Sequence, residues 1–204
     1  LDFRQAKAAV SGPLSDTVAA RLALSSTRRR GTIRNVTSDR WINEQYNLGL
    51  RAQLLWEPSD DLAITLAGDY SQQDPECCGT VFVRTGQTQR ALDRQYDALA
   101  AAQDYAAPSG DAFDRVTDLD ASLNAGNKVG GASLRAVWET GIGTVTSITA
   151  WRFWDWKPEN DRDFTGLPIT TLSQNPSQQD QFTQELRLSG GGDTLDYTLG
   201  AFYF

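Results

Sequence analysis

The strongest constraint in this chain is a period of two that recurs from end to end. Side chains of a strand point alternately to opposite faces, so apolar residues at every second position call for a sheet with one greasy side. Residues 181–204, QFTQELRLSGGGDTLDYTLGAFYF, show the pattern twice around a glycine turn. Phe182, Leu186 and Leu188 alternate with Thr183, Glu185 and Arg187. Tyr197, Leu199, Ala201 and Tyr203 alternate with Asp196, Thr198 and Gly200.

About eight such segments are expected along the chain. The first, residues 3–10, is weak. The second sets Val18, Ala20, Leu22 and Leu24 against Arg21 and Ser25. The third sets Tyr46, Leu48, Leu50, Ala52, Leu54 and Trp56 against Gln45, Asn47, Gly49, Arg51 and Gln53. The fourth sets Leu62, Ile64, Leu66 and Tyr70 against Thr65, Asp69 and Ser71. The fifth sets Leu134, Ala136 and Trp138 against Ser133 and Arg135. The sixth, residues 143–156, carries aromatics at both parities and is ambiguous in phase.

The connections between them alternate. SGPLSD, EPSD, TGIG and GGGD are short, whereas residues 29–44, 74–127 and 158–177 make long links. In an up-and-down sheet this puts every short turn at one end and every long loop at the other. Such a pattern belongs to outer-membrane barrels, with short periplasmic turns and long extracellular loops. The expected fold is therefore all-β, an antiparallel up-and-down transmembrane β-barrel segment of about eight strands. Tyr46, Trp56, Tyr70, Trp138, Tyr197 and Tyr203 near the ends of apolar faces suit the aromatic girdles of such a wall. The greasy face would meet lipid. Arg21, Arg51, Asp69, Glu185 and Arg187 would face the lumen, since a charge near the bilayer midplane costs about 2–4 kcal/mol.

Composition closes off other classes. A net charge of −7 argues against nucleic acid as partner, and the one basic run, Arg28-Arg29-Arg30, reads as a solvated loop entrance. The chain has no histidine, which removes the commonest metal ligand and general base. No zinc spacing, GxSxG or phosphate loop occurs, so neither an enzyme nor a cofactor is expected. No apolar run is long enough for a transmembrane helix, which leaves strand spans open. The chain starts at Leu1 and ends inside a strand at Phe204, which reads as a piece of a longer or processed protein.

The long connections carry the remaining candidates. Within residues 74–127, Leu92, Tyr96 and Leu99 have helical spacing among alanines, so a short helix is expected. Cys77 and Cys78 are adjacent. They form a vicinal disulfide, pair with cysteines elsewhere, or stay free; adjacent Cα atoms of a trans peptide are closer than ordinary disulfides span. Asp118, Asp120, Asp161 and Asp163 have no calcium-loop spacing and read as solvated loop acids. Trp151, Trp154 and Trp156 could stack on a flat or sugar-like ligand, or form an interfacial belt.

Four stretches together resemble the TonB-dependent receptors of the Gram-negative outer membrane: AVSGPLSDTVAARLALS, LRAQLLWEPSDDLAITLAGDYS, TSITAWRFWDW and the terminal hairpin. The resemblance covers most strands and short turns and fades in the long loops. It implies a larger barrel of about 22 strands, closed by a plug domain that this segment lacks. It also implies uptake of a scarce nutrient (siderophore–iron, cobalamin, carbohydrate or similar), driven by the TonB complex through that plug. The implied partners are outer-membrane lipid, the plug and remaining strands, the TonB complex and a small-molecule substrate. Two other readings stay open: a complete eight-stranded outer-membrane barrel serving as anchor or adhesin, and a soluble β-sandwich module that binds carbohydrate.

Overall fold

A computed structural model describes residues 2–86 and 88–204. Eight long strands form one antiparallel sheet: β1 (Arg4–Ser15), β2 (Val18–Arg29), β5 (Gln45–Ser59), β6 (Leu62–Gln73), β8 (Asn124–Thr140), β9 (Gly143–Glu159), β10 (Ser177–Gly191) and β11 (Asp196–Tyr203). Their order in the sheet is their order in the chain. Each strand therefore pairs with its predecessor, the simplest outcome of hairpins laid side by side. The sheet is not closed. Among the described residues β1 pairs only with β2, and β11 only with β10.

The strands run further than the alternation alone suggests. β1 is a full strand to Ser15 rather than a weak one, and SGPL belongs to it. Pro13 is tolerated because it falls beside a register shift on a strand with one partner. Similarly, Pro58 in β5 falls where the register slips between Trp56 and Ser59. The first three short turns thus shrink to residues 16–17, 60–61 and 141–142. The fourth spans residues 192–195.

The long connections have structure of their own. A second sheet of three short strands, β4 (Arg40–Ile42), β3 (Ile33–Asn35) and β7 (Val116–Thr117), joins the first long connection to the second. The expected helix is shorter than its spacing implies: a 3₁₀ turn over Leu92–Arg94, then α1 (Tyr96–Ala102). Ala100, on α1, is its buried residue.

The distribution of buried apolar side chains is unusual for a sheet protein. Ile42, Ala100, Leu119, Ala121 and Leu123 are the buried hydrophobics among the described residues, and all lie in the long connections. Ile42, Leu119 and Leu123 form a small core with Ile33 packed against it. The eight long strands contribute none. Many of their apolar side chains are exposed, from Leu14 at 69% to Leu54 at 37%.

Candidate functional site

Register settles which side chain faces which way. Arg51, Asp69, Gly131 and Arg152 lie opposite one another across four strands, one row of one face. Arg152 Nη1 reaches over Gly131 to Asp69 Oδ1 at 2.6 Å. Any Cβ on Gly131 would collide with the Trp151 carbonyl and the Arg152 side chain. The same face carries Arg21, opposite Gln53, and Glu185, opposite Ile148. Arg187 Nη1 sits 3.7 Å from Glu185 Oε1. The five residues expected on a charged face therefore share one. Lys7, Arg135 and Arg152 belong there too. Arg152 was hidden by the uncertain phase of its strand.

The opposite face has no charged residue across a broad band. One row reads Val10, Leu22, Ala52, Gly68, Ala132, Trp151, Phe182. The next toward the short turns reads Ala20, Leu54, Leu66, Leu134, Thr149, Gln184, Tyr203. The few polar groups in the band satisfy each other: Thr149 donates to Gln184 Oε1 at 2.5 Å, and Gln184 Nε2 donates to Ser147 Oγ at 3.1 Å. Such pairing lowers the cost of leaving polar groups in an apolar setting. Aromatic residues mark both borders, with Trp56, Trp138 and Tyr197 beside the short turns and Tyr46, Tyr70 and Phe153 beside the long connections. At and beyond the loop-end border charge returns, with Arg28 opposite Tyr46, Asp180 opposite Phe153 and Lys128 opposite Asp155.

The band has a length. Tyr46 and Trp56 bound it on β5, ten residues apart. At about 3.3 Å per residue this is about 33 Å of extended strand.

The tryptophans of β9 do not form one cluster. Trp151 lies opposite Ala132 and Phe182 on the charge-free face. Trp154 and Trp156 lie on the charged face near its loop end, stacked with centroids 5.8 Å apart. Trp154 Nε1 donates to Asn127 Oδ1 at 2.6 Å. Asn127 in turn lies opposite Gln73, which lies opposite Asn47, so the stacked pair adjoins a row of neutral amides. A flat or polyhydroxylated ligand could meet indole faces and amide hydrogen bonds there, but Trp151 could not take part.

The loop acids are organisers rather than solvated charges. Asp161 has no exposed surface. It accepts from the amides of Asp163 at 3.1 Å, Phe164 at 2.7 Å and Ala121 at 3.4 Å. Asp163 accepts from the amides of Thr165 and Thr170. Asp118 Oδ2 takes the Tyr105 hydroxyl at 2.8 Å and the Gly166 amide at 3.2 Å. Burial, with Asp118 beside it, raises the Tyr105 pKa. Asp120 is the exception, because its Oδ1 is buried without a partner. Burial first, then the charges of Asp161 and Asp163, raise its pKa above the ordinary carboxylate range. No group of three or more His, Cys, Asp or Glu among the described residues is placed to hold a metal ion.

Cys77 and Cys78 are joined to each other, their Cα atoms 3.0 Å apart across a cis peptide. Asn43 fixes this segment against the first long connection. Its side chain donates to the Gly79 carbonyl at 2.7 Å and accepts from the Gly79 amide at 2.8 Å. Gly79 packs so closely on Ile42 that a Cβ would overlap it.

No family model, curated protein or solved structure matches the chain.

Proposed function

We propose that this chain forms part of the wall of a TonB-dependent receptor in the outer membrane of a Gram-negative bacterium. The observation that carries the reading is the charge-free band. It is exposed and bordered by aromatics on both sides, and its ten residues of strand, tilted as barrel strands are, would span the apolar belt of such a barrel. A soluble protein rarely exposes a contiguous apolar surface of this extent. The placing of all short turns at one end and all long connections at the other adds to it.

In this reading the charge-free face meets lipid, and Arg21, Arg51, Asp69, Glu185 and Arg187 line the lumen. The structured connections, residues 74–127 among them, lie outside the cell. The barrel is completed by further strands and by a plug that couples to the TonB complex. The cargo is a scarce small molecule that enters from the loop end past Trp154 and Trp156. Among the described residues the first and last strands of the large sheet do not pair with each other, and the other sheet is the small one formed by the long connections.

The test is made on the full-length protein, expressed with its native leader. Sedimentation with the outer membrane, together with a gel band that shifts on boiling, is the expected outcome. Soluble protein without a shift would overturn the reading.

A further inference from the structure

The loop-end border of the charge-free face differs from the rest of the surface. The chain carries more acids than bases, 26 against 19. Yet a cleft of about 510 Å³ at this border is lined by Arg4, Arg28, Arg29, Arg30 and Arg40, against two acids, Asp2 and Glu44. Arg4 is tied to Asp2 at 3.0 Å and Arg40 to Glu76 at 2.5 Å. Arg28 and Arg30 have no acidic partner among the described residues. Each lies instead over an aromatic ring: Arg28 is 4.8 Å from the centroid of Tyr46, and Arg30 is 4.5 Å from that of Trp41. Stacking of this kind steadies a guanidinium while leaving its N–H donors free.

Position adds the second argument. Arg4, Arg28 and Tyr46 are register partners, on the same face as Leu24, Leu48 and Leu50. Arg28 therefore stands at the top of an apolar slope, not on the charged face, with Arg30 lining the same cleft. An anion bound here has greasy surface directly below it.

We infer that this border is a docking site for the phosphate headgroup of an anionic lipid, held by Arg28 and Arg30, with the acyl chain lying along Leu24, Leu48 and Leu50. Guanidinium forks match phosphate oxygens two at a time. A small soluble anion would leave the apolar continuation unused. The inference rests on the reading that the charge-free face meets lipid.

The experiment uses full-length protein in uncharged detergent, titrated with a fluorescent short-chain phosphatidic acid. R28Q/R30Q is compared with the wild type and with R34Q, which removes an arginine tied to Asp39 outside the cleft. The expected result is weakening by about tenfold or more in R28Q/R30Q, with little change in R34Q. The matching diacylglycerol, lacking phosphate, should not displace the probe, nor should inorganic phosphate at the probe's concentration. Equal binding by R28Q/R30Q overturns the inference, and displacement by inorganic phosphate replaces the lipid with a soluble anion. Gel mobility on the same samples separates the two claims. A heat-modifiable protein with unaltered lipid binding in the variant defeats this inference alone, whereas loss of heat-modifiability in the wild type defeats the membrane reading as well.

Discussion

Asp161 holds the turn that follows it and the bend at Ala121 with a single carboxylate. Removing it leaves buried amides without acceptors, so D161A should destabilise the third long connection by about 3 kcal/mol. Faster hydrogen exchange over residues 161–166 would register the change. Asp120 should respond in the opposite direction. Its raised pKa means that the folded loop holds this proton more tightly than the unfolded chain does. Loop stability should therefore fall as pH rises from the ordinary carboxylate range through the raised value. D120N removes that dependence and should protect residues 115–123 at neutral pH, as read by exchange rates corrected for their intrinsic pH dependence. If D120N exchanged faster than the wild type, the orphaned oxygen would have had a partner after all. Neither role was legible in the sequence. Four aspartates in polar loops look alike until residues 40 positions apart come together.

At the scale of the element, the seam between β8 and β9 depends on two glycines. Gly131 makes room for the Arg152–Asp69 bridge, and Gly130 lies under the ring of Phe153, where a Cβ would come within 2.7 Å of it. G130V should lift Phe153 and loosen β8 from β9, at a cost of about 1–3 kcal/mol typical of overpacking. Lost protection confined to the amides of these two strands is the expected signature. The long strands themselves were readable because period two survives in any strand with one apolar face. The phase of β9 was not. Trp151 and Phe153 at one parity face Trp154 and Trp156 at the other, and only pairing with β8 and β10 decides between them. The small second sheet was illegible for another reason. Its strands are two or three residues long, and β3 pairs in parallel with β7 from a different connection. No local pattern can announce such a pairing.

For the molecule as a whole, the decisive question is what solvent the charge-free face sees. Leu134 lies near its middle and is 46% exposed. If water covered that site, L134R would be almost neutral, as most exposed substitutions are within about 0.5 kcal/mol. In a bilayer the same change should cost about 2–4 kcal/mol. S133R, one residue away on the charged face, serves as the control and should be tolerated. Reversible unfolding of the full-length protein in lipid vesicles would separate the two cases. A neutral L134R would leave the apolar band to be covered by something other than lipid.

Every pairing in the large sheet is between successive long strands, whereas the loop core draws on three connections: Ile33 and Ile42 from the first, Leu119 and Leu123 from the second, and Asp161 from the third. The sheet can grow strand by strand as chain becomes available: four of its steps close turns of two to four residues, and three close the long connections. The cap cannot close until β9 is in place. Asn35 must then find the Leu119 carbonyl, and Asn43 the backbone of Gly79. A strand that had slipped in register would carry its connection out of reach of those partners. The contacts of the cap can therefore all form only when the strands beneath it are aligned in register.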